Sequence, residues 1–551
     1  MRGLPDTAPR VGSGSTHRTV LSALVVSGTL LAGCAPVGPA YQRPEMQPPA
    51  AYRGAAPTEG AASLADVPWW QVFDDEPLQA LLRDAIAHNL DLRVAVARVA
   101  EARALSGVAK SFLYPEVNLN AGYTGDQGSR NAQPPGATRD GDRTYNNTSL
   151  AATLAWEIDL AGRLRRENEA AFARYLASEE GRRAVLVTLV SDVASSYFLL
   201  RELDLQLEIA RRTLALNDQT VVYYDNRLQG GVSNRLEVDQ ARANRALTAA
   251  SIPEIERQIA ILEHAISVLA GRPPGAIARG RTLEEQHAPP IIPVGVPAAL
   301  LERRPDVIEA ERLLVASNAD VGAAKALFYP TISLTGAFGA VSGDLSDLLK
   351  GDSVLWSFGA NLFQPLFNAK RIRRNYEAAQ ARFDQAIAQY QQSALNAYRE
   401  VADALVTIQK LALIRTEQEG GVVALRDASQ LSRDRYEQGL STYLEVLIAD
   451  QQLFQQEIDL ARTRGDQLRV IAQLYRALGG GWQGEPGERR VRHRRRNHDR
   501  GGGDAGNGVR ADPGRLVRAQ PRQGGDAGLD EFTRGHVSRA TRAAAAGYID
   551  R

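Results

Sequence analysis

Hydrophobic residues follow two different periods along this chain, and the two periods occupy separate stretches. Apolar residues alternate strictly with polar or small ones around 117–123, 149–156, 332–338 and 356–362, which predicts four β-strands. Strands of about ten residues with one apolar and one polar face are typical of transmembrane β-barrels. The half-buried strands of a soluble sandwich are the alternative interpretation of this pattern.

The second pattern is helical and includes one very long stretch. From about 163 to 228 there is no proline and a single glycine, Gly181, and the composition is dense in Ala, Leu, Arg and Glu. A helix of that length would extend on the order of 100 Å. Gly230–Gly231 allow a reversal, and a partner helix is predicted from about 234 to 270, kinked at Pro253. Long helices with such spacing usually form coiled coils, so a plain coiled-coil spacer is the alternative.

Shorter helices precede each pair of predicted strands. One begins near 74–78, with acidic residues in its first turn, and Asn89 separates it from a second helix over about 91–110. The second half of the chain follows the same plan. Its helices are predicted over about 300–327, 369–438 and 442–478.

The two halves also match in sequence. Residues 109–122 return as 324–337, both with Tyr-Pro before the alternating run, at an offset of 215 residues. Residues 162–166 and 227–231 have counterparts at an offset of 208 residues. The loop between the strands is therefore predicted to be seven residues shorter in the second half. A period this long indicates a duplicated half-protein rather than a solenoid repeat.

The N-terminal stretch predicts a secretory signal that ends at the one cysteine of the chain. Three arginines are followed by a short apolar run over 20–31 and then by Leu31-Ala-Gly-Cys34. This box is similar to that of bacterial lipoproteins, in which the chain is cut before the cysteine and the cysteine is acylated. Ala35 in the next position favours sorting to the outer membrane. Residues 1–33 are predicted as the signal peptide and Cys34 as the lipidation site, with a chance buried cysteine as the alternative.

Composition sets the remaining boundaries. Residues 34–68, rich in Pro, Ala and Gly, are predicted as an extended, poorly structured segment that leads from the lipid to the body. The first half spans 69–270, a linker spans 271–297, and the second half spans 298–482. Residues 483–551 are rich in Arg and Gly with few apolar side chains, which predicts a disordered tail. A contact of its basic run with anionic lipid or nucleic acid, and an unselected extension, are both open.

The sequence also argues against several classes of protein. The formal net charge is +1, which gives no support for nucleic-acid binding. We find no nucleophile–base motif, no metal-spaced cluster and no glycine-rich phosphate loop, and the only thiol is that of Cys34. The sequence therefore predicts no enzyme activity, no metal site and no cofactor.

Four strands are too few to close a barrel that spans a membrane. An open sheet edge in lipid would leave backbone N–H and C=O groups unpaired. Three copies would supply twelve strands, which lies within the range of known barrels. The same three copies would stack their long helices into a tube that continues the barrel.

Several motifs resemble those of the TolC-like outer membrane factor family of efflux channels, in its NodT-type lipoprotein subgroup. They are Val37-Gly-Pro-Ala-Tyr41, Trp69-Trp70 with Asp75 and Leu78, Leu301-Glu-Arg-Arg-Pro-Asp306, Phe328-Tyr-Pro330 and Tyr443-Leu-Glu-Val-Leu447. The resemblance covers about 34–482. It implies a mixed α and β fold of mostly long helices, in which a homotrimer builds a twelve-stranded barrel in the outer membrane and an α-helical barrel across the periplasm. It also implies a periplasmic adaptor and an inner-membrane pump as partners, and passive export of drugs or other small toxic compounds.

The resemblance places a closable aperture at the periplasmic tip of the helices. The family closes that end with side chains just after the second helix-pair turn, at positions that fall here on Leu444, Ile448 and Gln451. Ile448 and Gln451 depart from the charged pattern of the family, and Asp450 lies nearby as a possible source of charge. A mainly apolar and hydrogen-bonded aperture is therefore predicted.

Glu237 and Asp239, at the tip of the first helix pair, are the candidates for residues that face the adaptor. Solvated helix-tip residues are the alternative for every tip position. Two other functions stay open: the channel of a type I protein secretion system, and a lipid-anchored coiled-coil scaffold without a pore. The four alternating strands favour a pore, because a scaffold needs none, and the lipoprotein box favours drug efflux.

Overall fold

The computed structural model describes residues 36–49, 52, 64, 72, 74–129, 144–286 and 297–480, and all structural statements concern these residues. The predicted signal peptide 1–33, the lipidation site Cys34 and the tail 483–551 lie outside them.

Eight helices and four strands make up the described part of the chain, and the halves have the same plan. The elements are α1 (Glu76–His88), α2 (Leu90–Ser111), β1 (Glu116–Gln127), β2 (Thr144–Ile158), α3 (Arg163–Gln229), α4 (Arg235–Leu269), α5 (Leu300–Arg303), α6 (Pro305–Ala326), β3 (Thr331–Ser342), β4 (Val354–Phe363), α7 (Arg371–Glu437) and α8 (Tyr443–Ala477). Both α3 and α7 have 67 residues, and both α4 and α8 have 35. The predicted duplication is confirmed, since β1 begins 47 residues before α3 whereas β3 begins 40 residues before α7.

The four strands form one antiparallel sheet in the order β1-β2-β3-β4. The register brings the apolar positions into rows, as where Val117 lies opposite Leu154 and Gly336 opposite Phe358. Because side chains alternate between the faces of a sheet, one face is apolar across all four strands and the other carries Asn, Ser, Thr and small residues. Among the described residues, β1 and β4 each have only one neighbouring strand, so both outer edges are open.

The long helices lie side by side in one row. α3 packs against α4 on one side and against α8 on the other, and α8 also packs against α7. The row is therefore α4-α3-α8-α7, with the first half at one end and the second half at the other. One window of α3 is apolar enough to cross a membrane by length and composition, but half of it is buried inside the protein. We attribute its composition to the core.

The main hydrophobic core lies where the short helices α1 and α6 pack against the row of long helices. Its fully buried side chains include Leu78, Leu82, Val193, Tyr197, Leu314, Tyr390, Leu474 and Tyr475. Asn89 separates α1 from α2, as predicted, because its side chain accepts a hydrogen bond from the Leu92 N–H at 2.8 Å and donates to the Leu269 carbonyl at 2.9 Å. This polar junction ties the start of α2 to the end of α4.

The N-terminal segment is extended, but it is well structured where it is described. The Val37 N–H donates to the Ala161 carbonyl at 3.0 Å, and Arg43 pairs with Glu311 at 3.0 Å. A Cβ on Gly38 would lie 2.5 Å from the Gly322 Cα, so only glycine permits this approach. The prediction of a poorly structured segment is wrong for 36–49, because its backbone and side chains bond to both halves.

Candidate functional site

The sheet exposes apolar surface that water would not solvate well. Leu119 on β1 and Trp356 on β4 are 73% and 75% exposed, although both lie on the apolar face. A monomeric soluble protein rarely exposes a contiguous apolar face of this kind. Within the described ranges no strand pairs with the outer edge of β1 or β4, and these edges add rows of unpaired backbone groups. The sheet therefore requires lipid against its face and further strands against its edges.

At the far end of the row, each helix pair reverses in the same way. Gly231 and Gly439 both adopt a φ of 74°, the left-handed conformation that glycine tolerates without strain. Arg227 donates to the Val232 carbonyl and its counterpart Arg435 donates to the Leu440 carbonyl, both at 3.5 Å. The two turns are thus copies of one structure, which the 208-residue repeat predicted.

Three tyrosines join the two helix pairs just above these turns, and we call them the tyrosine cluster: Tyr224, Tyr436 and Tyr443. The ring of Tyr224 lies 4.3 Å from that of Tyr443 and 5.5 Å from that of Tyr436, measured between centroids. Burial raises the pKa of Tyr443 to about 12, so its hydroxyl stays protonated. The sequence analysis missed this cluster, and its only signal was the concentration of tyrosines beside both turns.

Glu237 links the first helix pair to the second. Its N–H donates to the Asn234 side chain at 3.0 Å, and its carboxylate accepts from the Asn234 N–H, which completes a capping box. The same carboxylate accepts a hydrogen bond from the Tyr436 hydroxyl at 3.2 Å. Asp239, by contrast, lies on the surface and pairs with Arg235 at 3.4 Å. The structure thus separates the two candidates for the adaptor-facing tip.

The aperture candidates lie on one stripe of α8. Leu444 and Ile448 are 51% and 46% exposed, and Gln451 follows three residues later on the same side of the helix. The Gln451 amide donates to the Asn244 side chain at 3.1 Å, and Asn244 in turn donates to Asn217 at 3.2 Å. This ladder of side-chain amides connects the stripe to α4 and α3.

Asp450 does not share that stripe. Its carboxylate accepts from Arg433 at 2.8 Å and from Ser429 at 2.6 Å, both on α7. In the first half, Asp225 and Arg242 form a pair at 2.9 Å between α3 and α4. These positions lie 208 residues before Arg433 and Asp450, so the same interhelical ion pair occurs in both halves with its charges exchanged. The signal for this pair in the sequence is the repeat itself, which aligns Asp225 with Arg433 and Arg242 with Asp450.

The described residues contain no group of three or more His, Cys, Asp or Glu side chains that could hold a metal ion. The described part of the site is built from apolar strands, aromatic rings and amide hydrogen bonds.

Comparison with known proteins identifies this arrangement. The family model described as outer membrane efflux protein matches residues 81–272 and 296–480. The chain belongs to the outer membrane efflux protein family. It is 35% identical over 461 residues to the cation efflux system protein CusC of Escherichia coli O6:H1, which covers 82% of this chain and 97% of that protein. It is 34% identical over 461 residues to the solvent efflux pump outer membrane protein SrpC of Pseudomonas putida, with 82% and 96% covered.

A solved structure agrees with the family assignment. The outer-membrane channel OprN superposes with a TM-score of 0.76 at 32% identity, and the match covers 81% of this chain and 99% of that chain. The predicted fold class of mostly long helices, four strands per chain and duplicated halves is confirmed. This outer membrane efflux protein is located in the bacterial outer membrane and extends into the periplasm.

Proposed function

We propose that three copies of this chain form a passive channel that carries small toxic compounds across the outer membrane as one part of a tripartite efflux system. The observation that supports this most directly is the open sheet, with one apolar face, two unpaired edges and a row of long helices below it. Three sheets pair edge to edge into a barrel of twelve strands, which leaves no unpaired edge in lipid.

The arrangement of the halves supports a ring rather than a two-fold dimer. The sheet begins with β1 of the first half and ends with β4 of the second, and the helix row likewise begins with α4 and ends with α7. In both the sheet and the helix row, the first half of each chain would then contact the second half of its neighbour. Head-to-tail contacts of this kind close into rings when the rotation permits.

We further propose that the tips of the helix pairs bind a periplasmic adaptor protein, which joins the channel to an inner-membrane pump. Val232 and Leu440 occupy equivalent positions in the two turns, and both side chains are exposed. Asp239 adds an exposed carboxylate beside the first of them. Each chain thus presents an exposed apolar side chain at the equivalent position of both helix-pair tips. This favours a partner that contacts every helix pair in the same way.

Between transport events, the same tips would close the channel. Leu444 and Ile448 supply an apolar ring, and Gln451 supplies a hydrogen-bonded one. Asp450 contributes no unpaired charge, because Arg433 neutralises it within the chain. The tyrosine cluster and Glu237 hold the second helix pair against the first in this closed state.

Lipidation of Cys34 would anchor the chain at the same membrane. Val37 is hydrogen-bonded to Ala161, three residues after the end of β2, and a residue three positions before Val37 lies within about 10 Å of it. Acyl chains on Cys34 would then enter lipid beside the barrel. Mass spectrometry of the N-terminal peptide tests this, since an acylated Cys34 is expected and an unmodified one would contradict the anchor.

The cargo is proposed as small drugs or other toxic compounds, and no catalytic step is proposed. The relatives are named for different cargoes, a cation for CusC and a solvent for SrpC, at nearly equal identity. The whole chain has two methionines and one cysteine, so it offers few soft ligands for a metal along its length. Selection of the cargo is thus expected in the partner pump.

Single-channel recording in planar bilayers tests the proposal. The purified full chain is expected to give a small and mostly closed conductance that rises when residues of the 439–451 tip are changed. A protein without conductance would contradict the channel and favour the lipid-anchored scaffold. Export of a protein rather than of small compounds, measured in cells that lack their own channel, would favour type I secretion.

A further inference from the structure

The junctions between sheet and long helix differ between the halves, although they are equivalent in sequence. The first junction runs from the end of β2 into α3, and the second runs from the end of β4 into α7. Both carry a cluster of basic residues at the start of the helix: Arg163, Arg165 and Arg166 in the first half, and Lys370, Arg371, Arg373 and Arg374 in the second. Each junction can therefore be compared, residue by residue, with its counterpart in the other half.

In the first junction, every arginine has a carboxylate partner. Arg163 pairs with Glu157 and Glu167, both at 2.8 Å. Arg165 pairs with Asp159 at 3.2 Å, and Arg166 pairs with Glu169 at 2.8 Å. The first junction is therefore neutralised within the chain.

The second junction has lost most of these carboxylates. Pro365, Phe367 and Asn375 stand where the first half has Glu157, Asp159 and Glu167. Only Glu377 is kept, and it pairs with Arg373 at 3.1 Å and with Arg374 at 2.7 Å. No carboxylate of the described residues lies within ion-pairing distance of Lys370 or Arg371.

The second junction has also gained apolar surface. Leu366 and Phe367 are 96% and 90% exposed, and they are separated from the end of β4 only by Gln364 and Pro365. Strand β4 carries Trp356, Phe358 and Leu362 on its apolar face, so the exposed pair lies just beyond the end of a strand that presents apolar residues to lipid. The backbone is strained at this point, because Ala369 and Lys370 have φ values of 48° and 66° without being glycine. The equivalent of Lys370 in the first half is Gly162.

We propose that the second junction, defined as residues 364–374, binds the headgroup of an anionic phospholipid in the leaflet that faces the periplasm. The inference rests on the proposed barrel, which puts the end of β4 at the boundary between lipid and water. Leu366 and Phe367 insert among the acyl chains, and Lys370 and Arg371 contact the phosphate. Basic residues beside apolar ones at a membrane boundary are attracted to anionic lipid, by about fivefold in affinity for each cation.

The alternative occupant of this surface is a second copy of the chain. In the closed barrel the start of β1 of a neighbour would lie near the end of β4, and Glu116 there has no cationic partner among the described residues. The lipid is favoured because exposed apolar side chains and cations without a carboxylate partner among the described residues occur together at this junction, whereas Glu116 lies on the polar face of the sheet.

The test uses the full chain extracted in mild detergent and native mass spectrometry with added phosphatidylglycerol or phosphatidylcholine. The wild type is expected to retain phosphatidylglycerol preferentially. Arg371→Gln should lower that preference about fivefold, whereas the matched control Arg163→Gln should leave it unchanged, because Arg163 is neutralised by its own carboxylates. Phe367→Asp, which installs the first-half residue Asp159, should abolish the preference.

Equal retention of both lipids, or an equal loss in Arg371→Gln and Arg163→Gln, would overturn the proposal. A photoreactive phenylalanine at position 367 separates the occupants: crosslinks to lipid support the proposal, and crosslinked chains in its place would assign the surface to a second copy. Conductance is recorded on the same preparations. Conducting trimers without lipid preference would refute only this inference, whereas the absence of both trimers and conductance would refute the proposed channel.

Discussion

At the scale of single residues, the proposed closure of the tip depends on a few polar contacts among apolar and aromatic side chains. The Tyr436 hydroxyl donates to Glu237 across the two helix pairs, while the Tyr224 and Tyr443 rings pack beside it. Glu237 is already oriented by its capping box, so it needs no rearrangement to accept this bond. A hydrogen bond to a carboxylate contributes about 1.5–3 kcal/mol.

Removing that hydroxyl should loosen the tip. In Tyr436→Phe the ring packing stays and the bond to Glu237 is lost, so the ratio of open to closed channels should rise by about tenfold or more. Tyr443→Phe is the matched control, because the Tyr443 hydroxyl makes no hydrogen bond with a described residue. Open probability in planar bilayers is the measurement, and equal values for the two variants would contradict the role given to Glu237.

At the scale of elements, the two helix pairs show how a duplicated structure keeps an interaction while its sequence changes. The pair Asp225–Arg242 holds α3 to α4, and the pair Arg433–Asp450 holds α7 to α8. The partners are exchanged between the helices, but the distances of 2.9 Å and 2.8 Å are nearly the same. What the fold requires at this position is therefore a pair of opposite charges, whichever helix carries the cation.

A charge exchange in the second half tests this directly. Arg433→Asp should place two carboxylates together and separate α7 from α8 at the tip, which raises conductance and protease cleavage there. The double variant Arg433→Asp with Asp450→Arg should recover most of the wild-type behaviour, because it recreates the polarity of the first half. A double variant that stays as open as the single one would show that Ser429 or the surrounding cleft, rather than the pair, holds Asp450.

The elements themselves could be predicted from the sequence to within a few residues. Long stretches without proline, glycines at the turns and strict alternation in the strands are local signals, and each agrees with the others. The start of α7 was predicted at Ala369 but lies at Arg371, because two left-handed residues precede the helix. Pro253 lies inside α4 without ending it.

Contacts between distant parts of the chain could not be predicted in this way. The tyrosine cluster unites residues from three helices, and the N-terminal segment at Arg43 reaches Glu311 and Tyr390. Neither contact leaves a periodic trace in the sequence, because each depends on how the helices are placed side by side. Helical period alone puts Asp450 on a different side of α8 from Leu444 and Ile448, but its partner Arg433 depends in the same way on the position of α7.

At the scale of the whole molecule, a single chain leaves edges and surfaces that further copies of the chain and lipid would have to cover. In the part of the chain that the structure describes, the sheet has two open edges, and the helix row ends with α4 on one side and α7 on the other. In the sheet and in the helix row alike, the first half lies at one edge and the second half at the other. One rotation between neighbouring chains therefore pairs the edges of both layers. Since the apolar face needs lipid and the edges need strands, closure into a ring of three chains is the arrangement that leaves neither exposed.

Crosslinking between the two sheet edges tests this closure most directly. One cysteine is placed on β1 and one on β4, the pair is scanned along both strands, and variants with a single added cysteine serve as controls. After oxidation in membranes, we expect disulfides between neighbouring chains. They should give crosslinked species of two and then three chains, with nothing larger. A ladder that continues beyond three chains, or no link between β1 and β4 at any register, would contradict the shared barrel.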